Sequence, residues 1–190
     1  MDLVKMLLCT AGVLLAAGCA FLGEPEVRIP AFYDLSAGKT EHTASVPVIF
    51  RSFSDISGNG LRMVRRLKDG RITFDDLNRF SAPPAQLIRR RLTEDFSVSA
   101  ANGETLRISG TLLRLEADCF RNEALLEIDY TLEYGGRKTA VRHRILKKIA
   151  SCSGKDMAAA FEACVDSSAL RLAAEAGTFK ENCDKTKVKK

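Results

Sequence analysis

Cys19 is the residue of this sequence whose setting is most specific for chemistry. It follows Leu15-Ala16-Ala17-Gly18, at the end of an apolar run that starts at Leu3 and is broken by Lys5 and Thr10. That spacing resembles the bacterial lipobox, in which the cysteine thiol receives a diacylglycerol and the cysteine becomes the mature N-terminus. A short positive start, an apolar middle and a small-residue exit make residues 1–18 a secretory signal, too short to cross a bilayer comfortably. Three acyl chains at about 0.8 kcal/mol per buried CH₂ hold a protein on a membrane almost permanently. The bland alternative is an ordinary signal peptide with an incidental cysteine.

The sequence has six cysteines. Cys9 leaves with the signal and Cys19 takes lipid. Cys119, Cys152, Cys164 and Cys183 remain, an even number in an exported, oxidising compartment. Four cysteines allow three pairings. Cys119 with Cys152 is the favoured pair, since each follows an expected strand ending on the same side of the sheet, and Cys164 with Cys183 then clips the tail to the last helix. A metal site is the weaker rival, because no CxxC spacing exists and no histidine adjoins these cysteines. Free buried thiols are the second alternative.

Two histidines exist. His42 lies ahead of the domain, and His143 sits on the apolar phase of a strand opposite Ile128, where a core or edge histidine is the plain reading. No GxSxG, HExxH, phosphate-loop or dinucleotide fingerprint appears. The strand carboxylates read as cross-strand ion pairs rather than acid–base groups. No catalytic residue, no metal ligand set and no cofactor beyond the lipid on Cys19 is expected. A net charge of +5 suits an anionic membrane surface, and nothing matches a nucleic-acid motif.

The elements that must position these residues follow from periodicity. Residues 19–45 form a lipid tether and lead-in, with Gly23, Pro25 and Pro30 against regular structure. One domain, residues 46–179, follows. Residues 46–53 alternate as a first strand. Residues 61–67 and 71–75 form a hairpin about Asp69-Gly70, with Lys68 opposite Arg71, Leu67 opposite Ile72 and Arg65 opposite Phe74. Ser81 offers a cap and Pro84 a start for a helix to Phe96, with Leu87, Ile88, Leu92 and Phe96 as its stripe and Arg89-Arg90-Arg91 on a solvated face. Residues 105–117 are a strand whose apolar phase shifts near Gly110, which places a bulge there or covers both faces.

Residues 123–150 carry the clearest signal. Leu126, Ile128, Tyr130, Leu132 and Tyr134 alternate with polar residues, most of them acids, and Gly135-Gly136 turns the chain. Setting Tyr134 on Arg137 puts Glu133 opposite Lys138, Asp129 opposite Arg142 and Glu127 opposite Arg144. A helix over residues 155–177 stops at Gly177. Residues 180–190, with five lysines, read as a basic mobile tail. The order β-ββ-α-βββ-α gives an α+β two-layer sandwich, a mostly antiparallel sheet with two main helices on one face.

Two features together resemble a known family. They are Tyr33-Asp34-Leu35 behind the lipobox, and the run Arg71-Ile72-Thr73-Phe74-Asp75-Asp76-Leu77-Asn78-Arg79-Phe80-Ser81-Ala82-Pro83-Pro84 leading into a helix with Leu87 and Leu92. The sequence is similar to the ABC-type transport auxiliary lipoproteins, the group with the PqiC-like lipoproteins. The resemblance covers residues 30–177 and is sharp over 71–92. Phe80 stands where many members have Trp, and the cysteine-bearing segment and lysine tail are not family features.

The resemblance implies a non-enzymatic periplasmic component of an MCE-type system moving lipid between inner and outer membranes. Its implied partners are an MCE-domain protein and the inner-membrane ABC permease and ATPase, with a homo-oligomeric ring as a further expectation. Ala20 after Cys19, in place of Asp, implies the outer membrane rather than the inner. Asn78, Arg79 and Phe80 are the candidate partner interface. The competing functions are a stand-alone lipid-binding carrier, with an apolar cavity between the last helix and the sheet, and a structural envelope lipoprotein.

Overall fold

The computed structural model describes residues 28–35, 42–43, 47–97 and 104–187. The signal, Cys19 and residues 188–190 therefore lie outside the described residues, as does the side chain of His42. The described residues form, in order, β1 (Ala31–Tyr33), β2 (His42–Thr43), β3 (Val48–Asp55), β4 (Arg62–Arg66), β5 (Ile72–Phe80), α1 (Pro84–Asp95), β6 (Phe96–Ser97), β7 (Leu106–Asp118), β8 (Glu123–Tyr134), β9 (Arg137–Lys148) and α2 (Gly154–Lys187). Seven of these strands make one sheet in the order β1-β5-β4-β7-β8-β9, with β3 also on β7, while β2 and β6 pair separately. The long ladders, β7–β8 and β8–β9, are antiparallel. β1–β5, β3–β7 and β4–β7 are parallel. Both helices pack on one face, so the fold is the expected α+β sandwich.

One apolar cluster fills the layer between sheet and helices. α1 contributes Leu87, Ile88 and Leu92, α2 contributes Met157, Phe161, Val165, Ala169 and Leu172, and the sheet contributes Leu106, Ile108, Leu126, Ile128, Tyr130 and Leu132. Alternation along β8 sends every second side chain into this layer, as a strand covered on one side requires. The β8–β9 register is the one the charges dictate, with Tyr134 on Arg137, Asp129 on Arg142 and Ile128 on His143.

Elsewhere the chain departs from its sequence reading. Leu67, not Lys68, faces Arg71, so the hairpin loop has three residues and Val64 lies opposite Phe74. A two-residue type I′ loop needs positive φ at both centres, and among these residues only Gly70, at φ 82°, has it. The bulge in β7 falls at Leu113, between the Leu112–Ile128 and Arg114–Glu127 pairs, and not at Gly110. Gly110 instead makes room for a neighbour, since a Cβ there would lie 2.6 Å from the Phe53 ring, which occupies that space. α1 is entered through Pro83 with no side-chain cap, so Ser81 does not serve.

The domain begins before residue 46, because β1 joins the sheet and Leu35 is fully buried. α2 runs through Gly177 to Lys187. Ala176, Phe179 and Cys183 continue its apolar stripe onto the core, and that packing outweighs the roughly 1 kcal/mol helix penalty of one glycine. The segment expected to be a basic tail is thus mostly helix.

Candidate functional site

Cys119 and Cys152 are joined in a disulfide across 33 residues, closing the β7 end onto the connector before α2. Cys164 and Cys183 are free and buried. The expected clip between them is corrected by the length of α2: both lie on this one helix, and nineteen residues at 1.5 Å each separate them by about 28 Å. The Cys164 thiol points at the carbonyls of Ala124 and Ile145, and burial pushes its pKa up to about 12. Such a thiol is inert packing. Among the described residues no cluster of His, Cys, Asp and Glu forms a metal-binding group.

His143 is the side chain with the most chemical potential, and its surroundings are polar rather than plain core. Its Nδ1 lies 2.8 Å from Ser168 Oγ and its Nε2 lies 2.8 Å from Glu175 Oε2. Ser168 Oγ also meets Tyr130 Oη at 3.0 Å, and Arg171 Nε donates to Glu175 Oε1. Ser168 and Glu175 stand seven apart on α2, so two helical turns aim both at the β9 imidazole. Burial lowers the pKa of His143, opposed by Glu175. Burial likewise raises the Tyr130 phenol, so it stays a hydrogen-bond donor. A row of Ser, His and carboxylate is the raw material of nucleophilic catalysis, yet Ser168 and His143 are both 0 % exposed. As folded, the row is a polar clip fastening α2 to β8 and β9.

The arginine triplet divides. Arg90 pairs with Asp34, and Arg89 reaches the Arg51 carbonyl. Arg91 is 2 % exposed, which corrects its placement on a solvated face. Its guanidinium donates to Asp95 at 2.6 Å and to Asp166 of α2 at 2.8 Å. It also donates to the Leu35 carbonyl at 3.4 Å. Burial works against its charge, but the two carboxylates outweigh that and raise its pKa. Helical spacing alone puts Arg91 beside Ile88 and Leu92 on the inward stripe, and Asp95, four residues on, is the further clue in the sequence.

The candidate interface at residues 78–80 is also divided. Phe80 is 0 % exposed and packs against Phe161, so it is no exposed aromatic. Asn78 accepts from Tyr33 Oη at 3.3 Å and donates to Asp75 at 2.7 Å. A Cβ on Gly154, at the start of α2, would lie 2.0 Å from Asn78 Oδ1, so this side chain faces the helices. Burial tends to raise the pKa of Asp75, but bonds from Asn78 and Leu77 and the charge of Arg65 hold it below its usual range. Arg79 alone of the three lies on the uncovered side, where it pairs across β5 with Phe32 and with Arg62.

That uncovered side is the candidate functional surface, and its two halves differ. Over β7, β8 and β9 it is ionic: Arg142 grips Asp129 at 2.6 and 2.7 Å, Lys138 meets Glu133, Arg114 meets Glu116 and Glu127, and Arg66 reaches across from the end of β4 to Glu116. Glu127 lies opposite Arg144 in the ladder, as expected, and its carboxylate is also met by Arg142 and Arg114. Over β1, β5 and β4 it is apolar and cationic. Phe32, Ile72, Phe74 and Leu77 are exposed there, Phe32 at 61 % and Phe74 at 42 %. The Arg62 guanidinium lies 4.2 Å over the Phe74 ring.

Two hollows flank the helices. One of about 460 Å³ is lined by Phe50, Ala82, Leu87, Arg89 and Arg90. The other, about 360 Å³, lies between β9 and the end of α2 against Val141, Glu175 and Phe179. Among the described residues no helix is long and apolar enough to cross a membrane.

No family model matches the sequence, and no curated protein matches it. Solved structures do. A crystal structure of an uncharacterized protein superposes with a TM-score of 0.64 at 10 % identity, over 77 % of this chain and 98 % of that one. Protein XCC0632 from Xanthomonas campestris, of the DUF330 family, superposes with a TM-score of 0.59 at 13 % identity, over 81 % of this chain and 99 % of that one. At such identities the likeness is one of fold alone: nearly the whole of each of those chains superposes on this one.

Proposed function

We propose that this chain is a lipid-anchored, periplasmic, non-enzymatic lipoprotein that serves as the auxiliary docking component of an ABC-type, MCE-associated lipid transport system. Cys19 holds it at the outer membrane, and its partners are an MCE-domain protein and the inner-membrane permease and ATPase. The observation that carries the reading is the lipobox residues Leu15-Ala16-Ala17-Gly18-Cys19, set a dozen residues ahead of the first strand of a folded domain. Supporting it, the polar side chains inside that domain serve its own layers: His143, Ser168 and Arg91 are all engaged between sheet and helices. On this reading those groups hold the layers together, and the work falls to the anchor and the outer surface.

The test is purification from the envelope of cells that export the chain. The expected result is a membrane-fractionating protein with a triacylated N-terminus that brings down an MCE-domain protein and assembles into a ring-sized complex. Cys19→Ser is expected to release a folded, inactive domain. A monomer that captures no transport component, or full function in Cys19→Ser cells, would overturn the reading. Stoichiometric phospholipid on the released domain would instead favour the carrier, seated in the hollow beside Val141 and Phe179.

A further inference from the structure

We infer that the uncovered β1–β5–β4 face lies on an anionic phospholipid bilayer, the one to which Cys19 anchors the chain. The inference deepens the reading above and rests on its anchor. Three observations lead to it. Phe32, Ile72, Phe74 and Leu77 are exposed on two strands paired side by side, and a cluster of such side chains marks a docking surface where single ones do not.

The cations among them are arginines, Arg62 and Arg79, paired across adjacent strands, with Arg62 stacked on Phe74. Apolar bodies beside cationic tips are the composition that settles at an anionic headgroup layer. Asp76, on the same strand, is the exposed acid beside them.

The third observation is chain length. Nine peptide steps separate Cys19 from Arg28, the first described residue, and they span at most about 32 Å. The first strand after that leash is β1, which carries Phe32. The anchor therefore delivers this edge of the sheet to the membrane first. The β7–β8–β9 half is a poor alternative, because laying its ion pairs on lipid would strip their water.

The sequence contains no tryptophan, so Phe74→Trp supplies a single fluorescent reporter, with Phe32→Trp as a second should the first fail to fold. Lipidated F74W protein in vesicles of phosphatidylglycerol and phosphatidylethanolamine with brominated chains is expected to lose most of its emission. Leu170→Trp, exposed on α2 in the opposite layer, is expected to keep it. The Cys19→Ser form of F74W should still bind these vesicles and not phosphatidylcholine, and adding Arg62→Glu and Arg79→Glu should weaken that binding about tenfold or more.

Equal quenching at positions 74 and 170 in anchored protein, or none at 74, would overturn the inference and leave the anchor standing. Shielding at position 74 by an added protein partner, without lipid quenching, would overturn it too. A mature N-terminus without acyl chains by mass spectrometry would instead sink the anchor, while the vesicle titration of the Cys19→Ser protein would still decide the face.

Discussion

The two halves of the uncovered sheet face belong to one sheet and solve opposite problems. Over β7, β8 and β9 the acids have bases within reach, and the other side of those strands is fastened to α2 by the His143 clip. Over β1, β5 and β4 the register is interrupted by a bulge between Arg62 and Met63, the strands are short, and the outward positions include Phe, Ile, Leu and Arg. The first half ties most of its outward charges to one another, with Leu146 its one large exposed apolar side chain among the described residues. The second leaves its apolar ones open to the outside. An apolar group exposed in the folded state adds little to stability, so a cluster of them is explained by what it meets beyond the molecule.

That contrast can be broken at several points. The largest effect belongs to the disulfide that ties the end of β7 to the connector after β9. Cys119→Ser, measured by urea unfolding under oxidising conditions, should cost about 4 kcal/mol, the chain-entropy value for a loop of 33 residues. His143→Leu comes next, since it leaves Ser168 and Glu175 against an apolar side chain; a loss of about 1–3 kcal/mol is expected.

The same clip gives a pH signature. Burial holds the folded His143 pKa below its ordinary 6.5, so the unfolded chain takes up a proton first on acidification. Stability from this group is therefore complete above pH 6.5 and falls as pH drops below it. Melting temperature should hold above pH 6.5 and decline as pH falls below it in the native protein, with a flatter profile in His143→Leu. A slope unchanged by the mutation would assign it to other groups.

Asp129→Ala, in the ionic half, should cost about 0.2–1 kcal/mol, shrinking with added salt. Phe74→Ser, in the apolar half, should move stability by less than about 0.5 kcal/mol, yet abolish most vesicle binding. If Phe74→Ser destabilised the domain more than Asp129→Ala did, the division between the halves would not hold.

The ionic half is also the half that is legible in the sequence. Strict alternation over residues 123–148, with acids facing bases across Gly135-Gly136, leaves one register that satisfies the pairs, and the β8–β9 ladder has it. The Cys119–Cys152 bridge is legible for a related reason, because both cysteines follow strands whose directions the pattern sets. The apolar half is not. β1 is three residues long and joins the sheet through a parallel pairing 47 positions away in sequence, which no local period announces. Arg79 and Phe80 point to opposite sides of β5, so they do not act as one exposed motif once Phe80 is in the core. Arg91 is masked by its neighbours in a run of three arginines, although its spacing from Ile88 and Leu92 and the Asp95 four residues on mark it as the inward one; what no local pattern gives is its partner Asp166 on the other helix.

The isolation of Cys164 has a consequence for how the protein must be made. In the finished fold its thiol is sealed under α2 and unreactive. In the unfolded chain, in the oxidising compartment proposed for it, that thiol competes on equal terms with Cys119, Cys152 and Cys183. The correct bridge is thus a matter of timing. If α2 settles on β8 and β9 before oxidation, one pairing remains open; if the oxidant acts first, scrambled isomers accumulate and wait on thiol exchange. Removing Cys164 and Cys183 together would turn this race into a formality, and the gain would appear as yield of native protein rather than as added stability.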